Sequence, residues 1–158
     1  MNWSKWKPYI FWIAVSEGVG ALSGFLSRNG MQLYSTAINK PPLSPPGWLF
    51  PVVWSILYVL MGISSYLITE SGKPARSKTA LTVYGVQLFF NFMWSIIFFN
   101  FEAYLFAFIW LIALLVLIIV NTYLFYQIDR RAGLLFIPYI IWVTFAGYLN
   151  FGIFLLNR

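Results

Sequence analysis

The sequence predicts an all-α integral membrane protein, a bundle of five membrane-spanning helices. Three observations carry this reading. Of the 158 residues, 61% are hydrophobic and only 9% are charged, against about 25% charged in a soluble domain. The mean hydropathy is +0.78, too high for a surface that must face water. Finally, the apolar residues fall into five runs, each near the ~20 residues that a bilayer crossing needs. The runs account for nearly the whole chain, so one membrane domain over residues 1–158 is expected, without a soluble domain.

The first helix is expected over 9–26, after Lys5, Lys7 and Pro8 and before Arg28. Its basic start resembles a signal peptide, but Glu17 interrupts the apolar run and no small-residue cleavage site follows. It is read as a retained membrane helix. A Pro-rich connection over 27–47 comes next, with Pro41, Pro42, Pro45 and Pro46. Proline fixes φ and lacks a donor, so the segment is read as stiff and non-helical, a lid over one end of the bundle. The second helix, 48–68, closes on Glu70, Gly72, Lys73 and Pro74. The third covers 80–99. Asn100, Phe101 and Glu102 form a short turn into the fourth, 103–127, and Asp129, Arg130 and Arg131 separate the fifth, 133–156.

An odd number of crossings puts the termini on opposite sides. Lys5, Lys7, Lys73, Arg76, Lys78, Arg130 and Arg131 share one side; Arg28, Lys40 and Arg158 share the other. The positive-inside rule then predicts an inner N-terminus and an outer C-terminus. The +6 net charge is spent on topology, and no basic cluster is dense enough for nucleic acid.

The missing residue types exclude much chemistry. With no Cys and no His, there is no thiol nucleophile, thiolate metal site or histidine base. Glu17, Glu70, Glu102 and Asp129 are too scattered for a paired-carboxylate or metal site. No cofactor and no metal are expected.

Inside the predicted spans, Gln87, Asn91 and Ser95 recur every four residues and share one helix face. Amides in hydrocarbon cost several kcal/mol unless paired, so this face should point into the bundle. It serves either as interhelical glue, worth about 0.6–2 kcal/mol per bond, or as the polar anchor of a pocket. Trp3, Trp6 and Trp48 fall at the interfaces where tryptophan normally collects. Trp54, Trp94, Trp110 and Trp142 lie deeper. With Tyr58 and Ala146 each one turn on from a tryptophan, they read either as packing or as a flat aromatic slot for a planar conjugated ligand. Pro138, four residues before Trp142, is expected to kink the fifth helix. Glu17 reads as a functional group, a neutral acid or a partner of Arg28. Ser16, Gly20 and Gly24 form a small-residue face suited to close helix contact.

Three blocks together resemble the translocator protein family, also called tryptophan-rich sensory proteins or peripheral-type benzodiazepine receptors. The first runs from Asn39 and Lys40 through the prolines to Trp48, then on to Phe50, Trp54 and Tyr58. The second carries Gln87, Asn91, Trp94 and Ser95, ending in Phe98 and Phe99. The third carries Pro138, Trp142, Phe145, Ala146, Leu149 and Asn150. The resemblance implies a five-helix bundle, usually a homodimer, with a pocket beneath the first loop. Such pockets take porphyrins of the protoporphyrin IX type and isoquinoline-carboxamide or benzodiazepine ligands. Carried over by position, Phe50, Trp54, Asn91, Trp94, Trp142, Ala146 and Leu149 would line it with Tyr58, and Pro45 and Pro46 would belong to the lid. The implied roles are binding, transport or sensing of tetrapyrroles. The alternatives are light- and oxygen-driven porphyrin breakdown, with Trp142 and Trp54 as candidate catalytic residues, or structural docking of other membrane proteins.

The chain also departs from the family. Leu33 and Tyr34 stand where Trp-Tyr is usual, Trp110 stands near a position often held by an acid, and the segment from Phe151 to Arg158 lacks the tyrosine of the animal cholesterol motif. A bacterial-type member of the cell membrane is the expectation.

Overall fold

The computed structural model describes the backbone of residues 3–158 and the side chains from residue 7 onward. The interfacial seats expected for Trp3 and Trp6, and the charge of Lys5, lie outside the described side chains. Among the described residues all regular structure is helical: α1 (Trp3–Thr36), α2 (Leu49–Thr69), α3 (Pro74–Ser95) with a π-helical extension (Ile96–Asn100), α4 (Tyr104–Ile128), α5 (Arg130–Leu134) and α6 (Ile137–Leu156). Among the described residues, five spans are long and apolar enough to cross a bilayer: Lys7–Thr36, Leu49–Thr69, Pro74–Asn100, Tyr104–Ile128 and Arg130–Leu156.

The boundaries move at three places. Helix α1 continues to Thr36, so the non-helical connection is 37–48 rather than 27–47. Nothing in 27–36 forbids a helix: the prolines begin at Pro41, and a polar turn such as Arg28, Asn29 and Gln32 can emerge from the apolar layer without unwinding. Helix α3 begins at Pro74, in the first turn, where its missing N–H costs nothing. The fifth span is broken rather than kinked. Asp129 caps α5 by accepting from the Arg131 N–H at 2.8 Å, the chain turns at Leu135 and Phe136, and Pro138 opens α6 in its first turn.

Helix α1 packs along α2, α3 along α4, and α4 along α6, with α5 against α2 and α4. At the α1–α2 crossing, Gly62 lets the backbone of Ile13 approach so closely that any Cβ would collide with it. Met61, Ile68, Tyr84, Leu111, Leu114, Phe125, Phe136 and Tyr139 fill the interior. The outer faces carry Ile10, Phe11, Phe25, Ile56, Phe89, Ile109, Val116 and Ile141, all exposed. An apolar coat of this kind around closed helical backbones is the surface a multi-pass protein turns to lipid.

The two ends differ. At one, Lys73 donates to the Ile128 carbonyl (2.9 Å), and Arg130 and Arg131 stand beside it in sequence. At the other, Asn100 donates to the Leu26 carbonyl (3.1 Å) and Asn150 to the Tyr104 carbonyl (2.8 Å), tying α1, α3, α4 and α6 below the 37–48 connection.

Candidate functional site: an aromatic cavity under a tethered lid

The short connection is an ordered strap. Proline reduces the conformational freedom lost on ordering it, and α6 fixes it from one side. The Asn39 N–H donates to the Asn157 side-chain oxygen (3.0 Å) and the Asn157 amide donates back to the Asn39 carbonyl (2.8 Å). The Tyr148 hydroxyl donates to the Pro42 carbonyl (2.9 Å). Lys40 folds back on α1, its ammonium donating to the Ser35 carbonyl (3.2 Å) and lying 4.8 Å from the Tyr34 ring centroid.

Beneath the strap lies a cavity of about 610 Å³, in the size range of small-molecule sites. Its walls come from α1 (Glu17, Gly20, Ala21, Ser23, Gly24, Met31, Tyr34, Ser35), α2 (Phe50, Pro51, Trp54, Ser55, Tyr58) and α3 with its extension (Asn91, Trp94, Ser95, Phe99); Lys40, Pro45 and Gly47 close the top. Gly20 makes room for one wall, since a Cβ there would run into the Tyr58 ring.

The polar groups behind this wall are paired among themselves. The Tyr58 hydroxyl donates to Asn91 Oδ1 (2.7 Å), Asn91 Nδ2 donates to the Tyr139 hydroxyl (2.6 Å), and that hydroxyl donates to Gln87 Oε1 (2.9 Å). Gln87 and Asn91 are buried and Ser95 reaches the cavity, so the polar face of α3 points inward, as its spacing predicts. Trp94 is held by its indole N–H donating to Asn150 Oδ1 (3.2 Å) and stacks on Phe98 at 5.3 Å. The Trp54 ring lies between Tyr58 (5.7 Å) and Tyr139 (6.0 Å). Rings locked in this way form a rigid, flat-walled surface.

Of the residues singled out in the sequence, Phe50, Trp54, Tyr58, Asn91 and Trp94 come together on the cavity, with Pro45 above them. Trp142, Ala146 and Leu149 do not reach it. Phe50 meets Trp142 edge-on at 5.8 Å and stands between it and the cavity; Ala146 and Leu149 are buried in α6. Trp142, expected with Trp54 among the pocket residues, is thus placed behind Phe50 in this structure, and Phe50 and Trp54 are the rings of this group that line the cavity. The Trp142 indole N–H is buried without a partner among the described residues. Pro46 stays outside the cavity while Pro45 lines it.

The structure adds residues that spacing alone did not single out as cavity-lining: Tyr34, Ser35, Lys40 and Phe99. Tyr34 was visible only as a departure from a family pattern, and Lys40 as a topological charge and part of the first family block. The proposed Glu17–Arg28 pair is absent. Eleven residues along a helix separate two side chains by roughly 16 Å, and the Arg28 guanidinium lies instead 4.5 Å from the Phe25 ring centroid. Trp110 bridges α3 and α4, stacking on Phe90 at 4.3 Å and donating to its carbonyl at 2.8 Å. No cluster of three or more potential metal ligands occurs among the described residues.

The model of the TspO/MBR family matches residues 7–156. The chain is 37% identical over 139 residues to the tryptophan-rich protein TspO of Archaeoglobus fulgidus, covering 88% of this chain and 90% of that one. It is 36% identical over 152 residues to the tryptophan-rich sensory protein of Cereibacter sphaeroides, covering 96% and 92%. It is 32% identical over 149 residues to the human translocator protein, covering 92% and 88%.

Proposed function

The chain belongs to the TspO/MBR family, and we propose that it is a membrane protein that binds planar hydrophobic ligands, porphyrins foremost, in the cavity under the 37–48 strap. The observation that supports this most is the pairing of flat aromatic walls with a polar rear that is already satisfied. Phe50, Trp54, Tyr58, Trp94 and Phe99 present ring faces and edges to the cavity. Tyr58 and Asn91 spend their hydrogen bonds on each other and on Tyr139. A conjugated ligand entering the slot stacks on the walls without competing for buried donors, each ring contributing about 0.5–1.5 kcal/mol beyond area burial.

Relatives bear the names sensory protein and translocator protein. Sensing and translocation both begin with capture, and capture is the step these residues support. The strap end, opposite the Lys73 and Arg131 end, is the outward one in this reading. Isoquinoline-carboxamide or benzodiazepine ligands fit the same walls as competitors.

The test is a titration of the purified protein in non-ionic detergent with protoporphyrin IX, followed by absorbance. Saturable binding that Trp54→Ala weakens at least about tenfold supports the proposal. Non-saturable partitioning, equal in both proteins, rejects it.

A further inference from the structure

Glu17 is the one acid among the residues lining the cavity, and among the described residues the fold gives it no partner. It lies ten residues beyond Lys7 on α1, about 15 Å along the helix axis, inside the Lys7–Thr36 span. Among the described residues it makes no hydrogen bond or ion pair; the salt bridge found there joins Asp129 and Arg131. Its neighbours are committed elsewhere. The Tyr58 hydroxyl donates to Asn91, the Ser16 hydroxyl is shared with Tyr84 and the Trp12 carbonyl, and Arg28 is turned to Phe25. The cavity's cation, Lys40, is at the other end, folded over Tyr34 and Ser35. Seventeen residues of α1 separate Glu17 from Tyr34, about 26 Å, so the two charges do not neutralise each other.

A carboxylate in an apolar cavity at membrane depth needs a partner or a proton. Here the cavity itself is the side from which a partner can come. Resting on the binding role proposed above, we infer that Glu17 sets the ligand class: the cavity selects planar aromatic molecules that carry a protonated nitrogen or an N–H donor at the end facing Glu17, while an acidic group is accepted only at the strap end, beside Lys40. A ligand with an anionic group at the deep end meets like charge and is disfavoured there.

Two fluorescent probes of similar three-ring shape separate the charges: aminoacridine, cationic at neutral pH, and anthracene carboxylate, anionic. Each is titrated into the full-length protein in non-ionic detergent. The parent protein is expected to bind aminoacridine about tenfold or more tighter than the carboxylate. Glu17→Gln, nearly isosteric and uncharged, is expected to weaken aminoacridine about tenfold and to tighten the carboxylate, while Glu17→Asp keeps the parent's order. Lys40→Gln is expected to weaken only the carboxylate. An affinity ratio unchanged by Glu17→Gln overturns the inference, as does a parent protein that prefers the carboxylate. Protoporphyrin IX, titrated into the parent protein alone, separates the two levels of failure. If it saturates while the ratio stays fixed, Glu17 selectivity alone is wrong; if it and both probes only partition, the binding role falls too.

Discussion

Asn91 on α3 donates to the Tyr139 hydroxyl on α6 at 2.6 Å, and Tyr139 is fully buried behind the cavity wall. This bond joins the helix that carries the cavity's rear to one that does not touch the cavity at all. The same amide accepts from Tyr58 at 2.7 Å, so one side chain sets the spacing of three helices. The polar pair at the strap plays the same part above, where Asn157 holds Asn39. Walls and roof are thus positioned in part by Tyr139 and Asn157, side chains that do not line the cavity.

Replacing Asn91 with Leu removes both bonds and leaves the buried Tyr58 hydroxyl without its acceptor, while the Tyr139 hydroxyl still donates to Gln87. An unsatisfied buried polar group costs about 1–3 kcal/mol. Thermal unfolding in detergent should show the loss as a clear drop in melting temperature. Tyr139→Phe should cost at least as much, because it leaves Asn91 Nδ2 and Gln87 Oε1 buried without the hydroxyl they share.

Trp54 lines the cavity and Trp142 is screened from it by Phe50. Trp54→Ala should therefore weaken protoporphyrin IX at least about tenfold, and Trp142→Ala by less than about threefold. Equal losses would show that Phe50 moves aside and that the cavity extends to α6. If illumination destroys bound pigment, Trp54→Phe is the variant expected to slow it.

Two glycines on α1 separate packing from space. A Cβ at Gly30 would run into the Phe99 backbone, whereas one at Gly24 meets nothing within 4 Å. Backbone cannot give way as a side chain can, so Gly30→Ala should destabilise by about 1–3 kcal/mol. Gly24→Ala should fall within about 0.5 kcal/mol of the parent. Parallel thermal melts of the two variants check the contrast.

The strap is held by Asn157 and Tyr148. Asn157→Ala combined with Tyr148→Phe should leave the helices intact and speed ligand release. In stopped-flow dilution of the porphyrin complex, the off-rate should rise several-fold while the on-rate changes little, since most affinity differences within one site appear in dissociation.

How much of this was legible in the sequence follows from what each residue type constrains. The five spans were readable because hydrocarbon demands long apolar runs, and the inward face of Gln87, Asn91 and Ser95 because hydrocarbon penalises unpaired amides. The end of α1 was not. Hydropathy fell at Ser27 and Arg28, but a helix leaving the apolar layer persists until something stops it, and here that is the proline run. The site was readable on α2 and α3, where Trp54 and Asn91 repeat at helical spacing. It was not readable on α6, because no pattern in either helix says that the Phe50 ring would stand in front of Trp142. The partnerless state of Glu17 needed the fold as well, since it depends on Tyr58, Ser16 and Arg28 all being engaged elsewhere.

The central claim, that ligand enters the space between α1, α2 and α3 under the strap, can be tested by thiol protection. The chain contains no cysteine, so Ser55→Cys, on the cavity wall, and Ser71→Cys, beyond the far end of α2, each introduce the sole thiol. Maleimide labelling is followed in detergent with rising protoporphyrin IX. The expected result is that labelling slows at position 55 with the concentration dependence of binding and stays constant at position 71. An unchanged rate at position 55 under saturating porphyrin would contradict the claim and place the ligand elsewhere.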